Sequence, residues 1–226
     1  TPEGVDLEIS SNISGTGAGV ALRKGGAGTL KLTGVSTLGG TLQINQGKVV
    51  LGAAGNLASA SIAATGGIFD VSERADFTLA SGKTLSGGQA GAPQTNIVGN
   101  INVAAGGIVN PAGLAAVGPM SITGNLALNG ATLNVEQVGG VSDEIRPSGA
   151  LALTGTNTFT GLLPNGTYTL ASGYNSVSGG ASNLAWNGGQ VRGTQTASFS
   201  VTPASVQVTL SDATPVALTW SGATDG

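Results

Sequence analysis

The sequence predicts an all-β fold built as a β-solenoid, in which short strands wind in successive coils around one axis. Three observations carry that expectation. Apolar and polar residues alternate in brief runs along the 226 residues, and a strand sends successive side chains to opposite faces, so each run has one apolar and one wet side. Glycine, with 40 residues and no G-X-Y period, falls between those runs, where strand turns need positive φ. Segments of one grammar also recur: GTLKLTG, GNLALNGATLNVE and GALALTGTNTFTG. Each is too short to bury much alone, whereas stacked neighbours share a core. A β-sandwich is the alternative for the C-terminal half.

In chain order, residues 6–17 put Leu7, Ile9 and Ile13 on one side before a turn. The stretch from Gly26 to Gly52 reads as three strands with Leu30 and Leu32, Leu42 and Ile44, and Val49 and Leu51 facing inward, and is expected to form one coil. SIAATGG, IFDVS, FTLASG and TLSG continue the pattern, and NIVGNINVAAGGIVNP alternates up to Pro111. Residues 112–118 read as a loop. After Met120, Leu126 and Leu128, Leu133 and Val135, Leu151 and Leu153, then Tyr168 and Leu170 are the inward pairs. SFSV, SVQVTL and VALTW complete the chain. The expected organisation is one solenoid domain over 1–226, with a repeat-containing half at 1–117 and a looser half at 118–226. At about 20–25 residues per coil, it would hold roughly ten rungs in a rod ~45–50 Å long.

Composition narrows the chemistry. Charged residues make up 8% and apolar residues 40%, which argues against disorder. Eight Lys and Arg against eleven Asp and Glu, without a basic cluster, disfavour a nucleic-acid partner. Cysteine and histidine are both absent, so there is no disulfide framework, no thiolate nucleophile, and neither the commonest general base nor the commonest zinc ligand. A cysteine-free chain suits passage through a bacterial periplasm. No apolar run reaches the ~18 residues of a membrane-spanning helix. TPEGVDLEIS has no basic-then-apolar leader pattern, so a secretion signal would lie outside this chain.

Residues 11–52 carry a resemblance. Gly15, Thr16, Gly17, Lys24, Gly26, Gly28, Thr29, Leu30, Leu32, Gly34, Gly39, Gly40, Thr41, Leu51 and Gly52 match the autotransporter-associated β-strand repeat of type V secreted passenger domains. Arg23 and the short Val35–Leu38 insert depart from it. The segment DEIRPSGALALTGTNTF and the terminal LTWSGATDG also look like large repetitive surface proteins of that class. The resemblance implies a right-handed parallel β-helix, export through the outer membrane by a translocator outside this chain, and location on the cell surface or in the medium. It further implies that the repeat assists passenger folding during export.

Candidate chemistry is sparse. Asp143, Glu144 and Arg146 form the densest charge cluster, read either as the acid–base group of a polysaccharide-degrading enzyme or as a solvated loop with a surface ion pair. Asp70, Glu73, Arg74 and Asp76 lack the spacing of known calcium loops and read as a charged loop. With no histidine, Ser and Thr have no obvious activating base. Asn12 and Asn165 begin glycosylation sequons that read as chance. Trp186 is the candidate glycan contact, the alternative being a packed ring. The favoured function is therefore a non-catalytic structural rod with no cofactor and no metal. Its ends would pair with further copies or adjacent repeats into fibres through Leu7 and Ile9 on one side and Val216, Leu218 and Trp220 on the other. An adhesin for extracellular glycans is second, and a polysaccharide-degrading enzyme third.

Overall fold

The computed structural model describes residues 4–15, 17, 19–88, 95–113, 116–188 and 195–212. They wind through about seven turns of a parallel β-solenoid. Three faces surround the axis. The first is a ten-stranded sheet that begins with Leu7–Ile9, Thr29–Leu32 and Lys48–Leu51 and runs on to Gly166–Ser172. The second holds the pair Val35–Ser36 and Asn56–Leu57, then a five-stranded sheet from Phe77–Leu79 to Ser176–Ser178. The third is an eight-stranded sheet from Ala21–Lys24 to Leu184–Trp186.

Alternation places the core as the sequence leads one to expect. Leu30, Leu32, Leu42, Ile44, Val49 and Leu51 are all buried, as are Leu126, Leu128, Leu133, Val135, Leu151 and Leu153. Parallel register stacks them into rows. On the first face Leu30 stands beside Val49, Val49 beside Phe69, Phe69 beside Ile97 and Ile97 beside Ile122. On the second the row is Phe77, Ile101, Leu126, Leu151 and Val177. On the third it runs from Leu22 through Leu42, Ile62, Leu85, Val109, Leu133 and Phe159 to Trp186. The edge-to-face contact of Phe69 with Phe77, 5.4 Å between ring centres, ties the first two faces together. Each buried side chain of this size contributes about 1.5–3 kcal/mol relative to exposure.

Two expectations are corrected. Gly26–Gly52 is not one coil: Thr29–Leu32, Val35–Ser36 and Thr41–Ile44 make the coil, and Lys48–Leu51 starts the next, stacked on Thr29–Leu32. The turn at Gly47, φ +68°, brings the chain back to the first face. The rod is also shorter than ten rungs. Early turns advance by 19 or 20 residues (Leu30 to Val49, Val49 to Phe69), later ones by 25 (Ile101 to Leu126, Leu126 to Leu151). Seven spacings span ~34 Å.

The parallel stacking continues through Leu184–Trp186, so the second half is solenoid and not sandwich. Only then does the topology change. Ser205–Asp212 pairs antiparallel with Gly166–Ser172, and Gln195–Val201 pairs antiparallel with Ser205–Asp212.

Corners are held by short polar side chains. The Asn100 carbonyl oxygen accepts the N–H of Asn125 at 3.0 Å, and that of Asn125 accepts the N–H of Ala150 at 2.8 Å. Asn157, fully buried, accepts from Ala131 N–H at 2.9 Å and donates to Thr154 and Asn183 carbonyls.

Candidate functional site

Buried carboxylates anchor both charge clusters, while Glu73 and Asp76 are exposed in the charged loop that the sequence suggests. Asp143 is 2% exposed. Its carboxylate accepts the N–H of Gly118 at 2.9 Å and of Glu136 at 3.0 Å, pinning the root of a small hairpin, Gln137–Val138 with Val141–Ser142, to the turn below. Burial pushes its pKa up to about 6; the charge of Glu136 adds to this, and the two backbone N–H groups oppose it. Glu144, also buried, faces a different set of partners: the Arg146 guanidinium at 2.6 Å and the Ser172 hydroxyl. Of these adjacent carboxylates, Asp143 braces the backbone and Glu144 is engaged by side chains, so the two are held by separate partners. Asp70 is likewise buried. Burial acts to raise its pKa, but the Ser72 hydroxyl and N–H and the Lys48 ammonium outweigh that and hold it below the usual carboxylate value. Lys31 pairs with Glu73 at 2.7 Å, and Arg74 donates to the Gly55 carbonyl.

Trp186 ends the third-face apolar row beside Phe159, half-buried and packed on the core, with its indole N–H buried and unpartnered. The Gly188 backbone lies so close to the ring that a Cβ there would run into it. The neighbourhood of Trp186 is thus a core end, a placement the sequence left open.

An open trench of about 730 Å³ crosses the outside of the third face, lined by Asn45, Ser61, Thr65, Thr84, Ser86 and Asn110 among others. Its described lining residues are neutral and carry no aromatic ring. Among the described residues no group of three acidic side chains is placed to hold a metal. No helix there is long and apolar enough to cross a membrane.

The ends differ most. At the C-terminal end the antiparallel hairpin folds over the core. Val206, Val208 and Leu210 are buried, and Phe199 lies 6.0 Å from Phe159 of the third face. Tyr174 donates its hydroxyl to the Thr202 carbonyl, and the Gln195 amide to that of Leu163. The outward side chains Thr196, Ser198, Ser200, Thr209 and Ser211 are exposed and uncharged, so the end is a polar lid. At the N-terminal end nothing covers the apolar rows among the described residues. Leu7 is 55% and Val20 37% exposed, with Ile9, Ile13 and Leu22 half-buried. The strands Leu7–Ile9 and Ala21–Lys24 are the outermost of their sheets. Leu7 and Ile9 therefore sit on an open edge, whereas Val216, Leu218 and Trp220 lie outside the described residues. The lid was missed because SFSV and SVQVTL read as two more coil strands; the short TPA linker between them is the signal for an antiparallel turn.

No family model matches the chain, and no curated protein matches it.

Proposed function

We propose that the protein is a non-catalytic structural module, a rigid rod of a bacterial surface or secreted passenger of the autotransporter-like kind. The observation that supports this most is the continuity of the three apolar rows along the described coils, with titratable side chains engaged in bracing turns. A solenoid so built keeps its shape along its length, because every coil is gripped by two neighbours. The outer-membrane translocator is expected outside this chain, and partners are expected at the rod's ends. A glycan-binding reading draws less support, since the Trp186 ring packs on the core. Incubation of the purified chain with a panel of plant and bacterial polysaccharides should release no reducing ends. Turnover of any of them would overturn the structural reading.

A further inference from the structure

We propose that the trench on the outside of the third face binds an uncharged, extended oligosaccharide lying along the rod axis, held by the side chains of Ser61, Thr84, Ser86 and Asn110. The site is on the flank of the rod, away from Trp186, and it binds without cleaving.

The first observation is a pair of polar side chains closed in at the trench floor. Leu85 and Val109 point into the core, so their neighbours Ser86 and Asn110 point outward, yet each is only 7% exposed. Outward side chains so enclosed lie at the bottom of a concavity, here about 730 Å³ in volume. The Ser86 hydroxyl makes no hydrogen bond among the described residues, and the Asn110 amide group uses only its oxygen, which accepts from Asn134. The half-buried Ser61 and Thr84 hydroxyls on the trench wall are unspent as well. Elsewhere comparable groups are committed: Asn100, Asn125 and Asn157 each hold backbone N–H groups of a neighbouring coil. A buried donor or acceptor left without a partner costs free energy, so the trench floor favours a ligand that supplies one.

The chemistry of the lining selects that ligand. No described lining residue is charged, so neither a phosphate nor an ammonium group finds a counterion there. An apolar ligand would strand Ser86 and Asn110. Hydroxyl and amide groups both donate and accept, as sugar hydroxyls do. The register selects the shape. Ser61 stands beside Thr84, and Ser86 beside Asn110, so each coil adds a polar group every ~4.8 Å along the axis. A pyranose unit in an extended chain is close to that length, whereas an extended peptide advances ~3.3 Å per residue and falls out of step. With no aromatic ring to stack on, affinity rests on a handful of hydrogen bonds and is expected in the millimolar range.

The test is nuclear magnetic resonance titration of the full chain with cellotetraose, mannotetraose, maltotetraose and chitotetraose, and with tetragalacturonate as the charged counterpart. At least one neutral sugar should shift the amide signals of Thr84, Ser86 and Asn110, and tetragalacturonate should not. The near-isosteric double variant T84V/S86A should weaken that binding by about tenfold, the loss of two hydrogen bonds, with its circular dichroism spectrum unchanged. Ser61→Ala, a second and milder variant, should weaken it less. Silence with all four neutral sugars, equal binding of tetragalacturonate, or shifts that survive T84V/S86A but vanish in Trp186→Phe would each overturn the proposal. The stiffness of the rod is tested separately, by a spin-label distance, and does not depend on this result.

Discussion

The carboxylate of Asp143 accepts the backbone N–H of Gly118 at 2.9 Å, joining the base of the Gln137–Ser142 hairpin to the preceding turn from a site closed to solvent. With a pKa of about 6 against an ordinary 3.8, the folded chain holds a proton that the unfolded chain releases in that interval. The stabilisation is complete below pH ~4 and is lost as the pH rises through ~6, a change of about 3 kcal/mol. The thermal midpoint is expected to drop between pH 4 and 7 in the native chain and to stay flat there in Asp143→Asn. Asp70, whose pKa is depressed, acts in the opposite sense and at lower pH: its stabilisation is lost only as the pH falls below 3.8.

Phe69 fills the middle of the first-face row with no exposed surface and an aromatic partner in Phe77. Phe69→Ala should lower unfolding free energy by about 3–5 kcal/mol. Leu7→Ala, at an exposed end, should change it by less than ~0.5 kcal/mol. Urea unfolding of both variants checks the contrast.

Gly40 packs against the coil below so closely that a Cβ would run into the Val20 carbonyl, and Gly47 combines a φ of +68° with the same crowding from Gly28. Alanine at either position should destabilise by more than ~1 kcal/mol. Gly82, at positive φ but with open space around it, should lose less. Chemical denaturation of the three variants measures the difference.

Asn157 satisfies buried backbone groups on three sides. Asn157→Ala leaves the Ala131 N–H without its partner and should cost about 1–3 kcal/mol. Hydrogen exchange should report faster opening at Ala131 than in the native chain.

How much was legible follows from which forces are local. Inward pairs such as Leu42 and Ile44 or Leu151 and Leu153 are written in alternation, so the core could be read directly. Which strand stacks on which depends on turn lengths, and those vary; Lys48–Leu51 was therefore assigned to the wrong coil. Asp143 and Glu144 looked like solvent-facing charge because nothing nearby in sequence announces the Gly118 N–H or the Ser172 hydroxyl that hold them. The lid strand Gln195–Val201 alternates like any other, and its reversal is a property of the tertiary arrangement.

The most direct test of the rod itself is a distance along it. Glu8 is exposed on the first strand of the first face and Asn175 at the corner just after the eighth, one residue from the position stacked in line with Glu8, and the chain has no native cysteine. Spin labels on Glu8→Cys and Asn175→Cys, diluted with unlabelled protein, should give one narrow distance distribution near ~34 Å in a double electron–electron resonance experiment. A broad distribution, or one centred below ~20 Å as a sandwich of two packed sheets would place some such pairs, would contradict a stiff stack of seven turns.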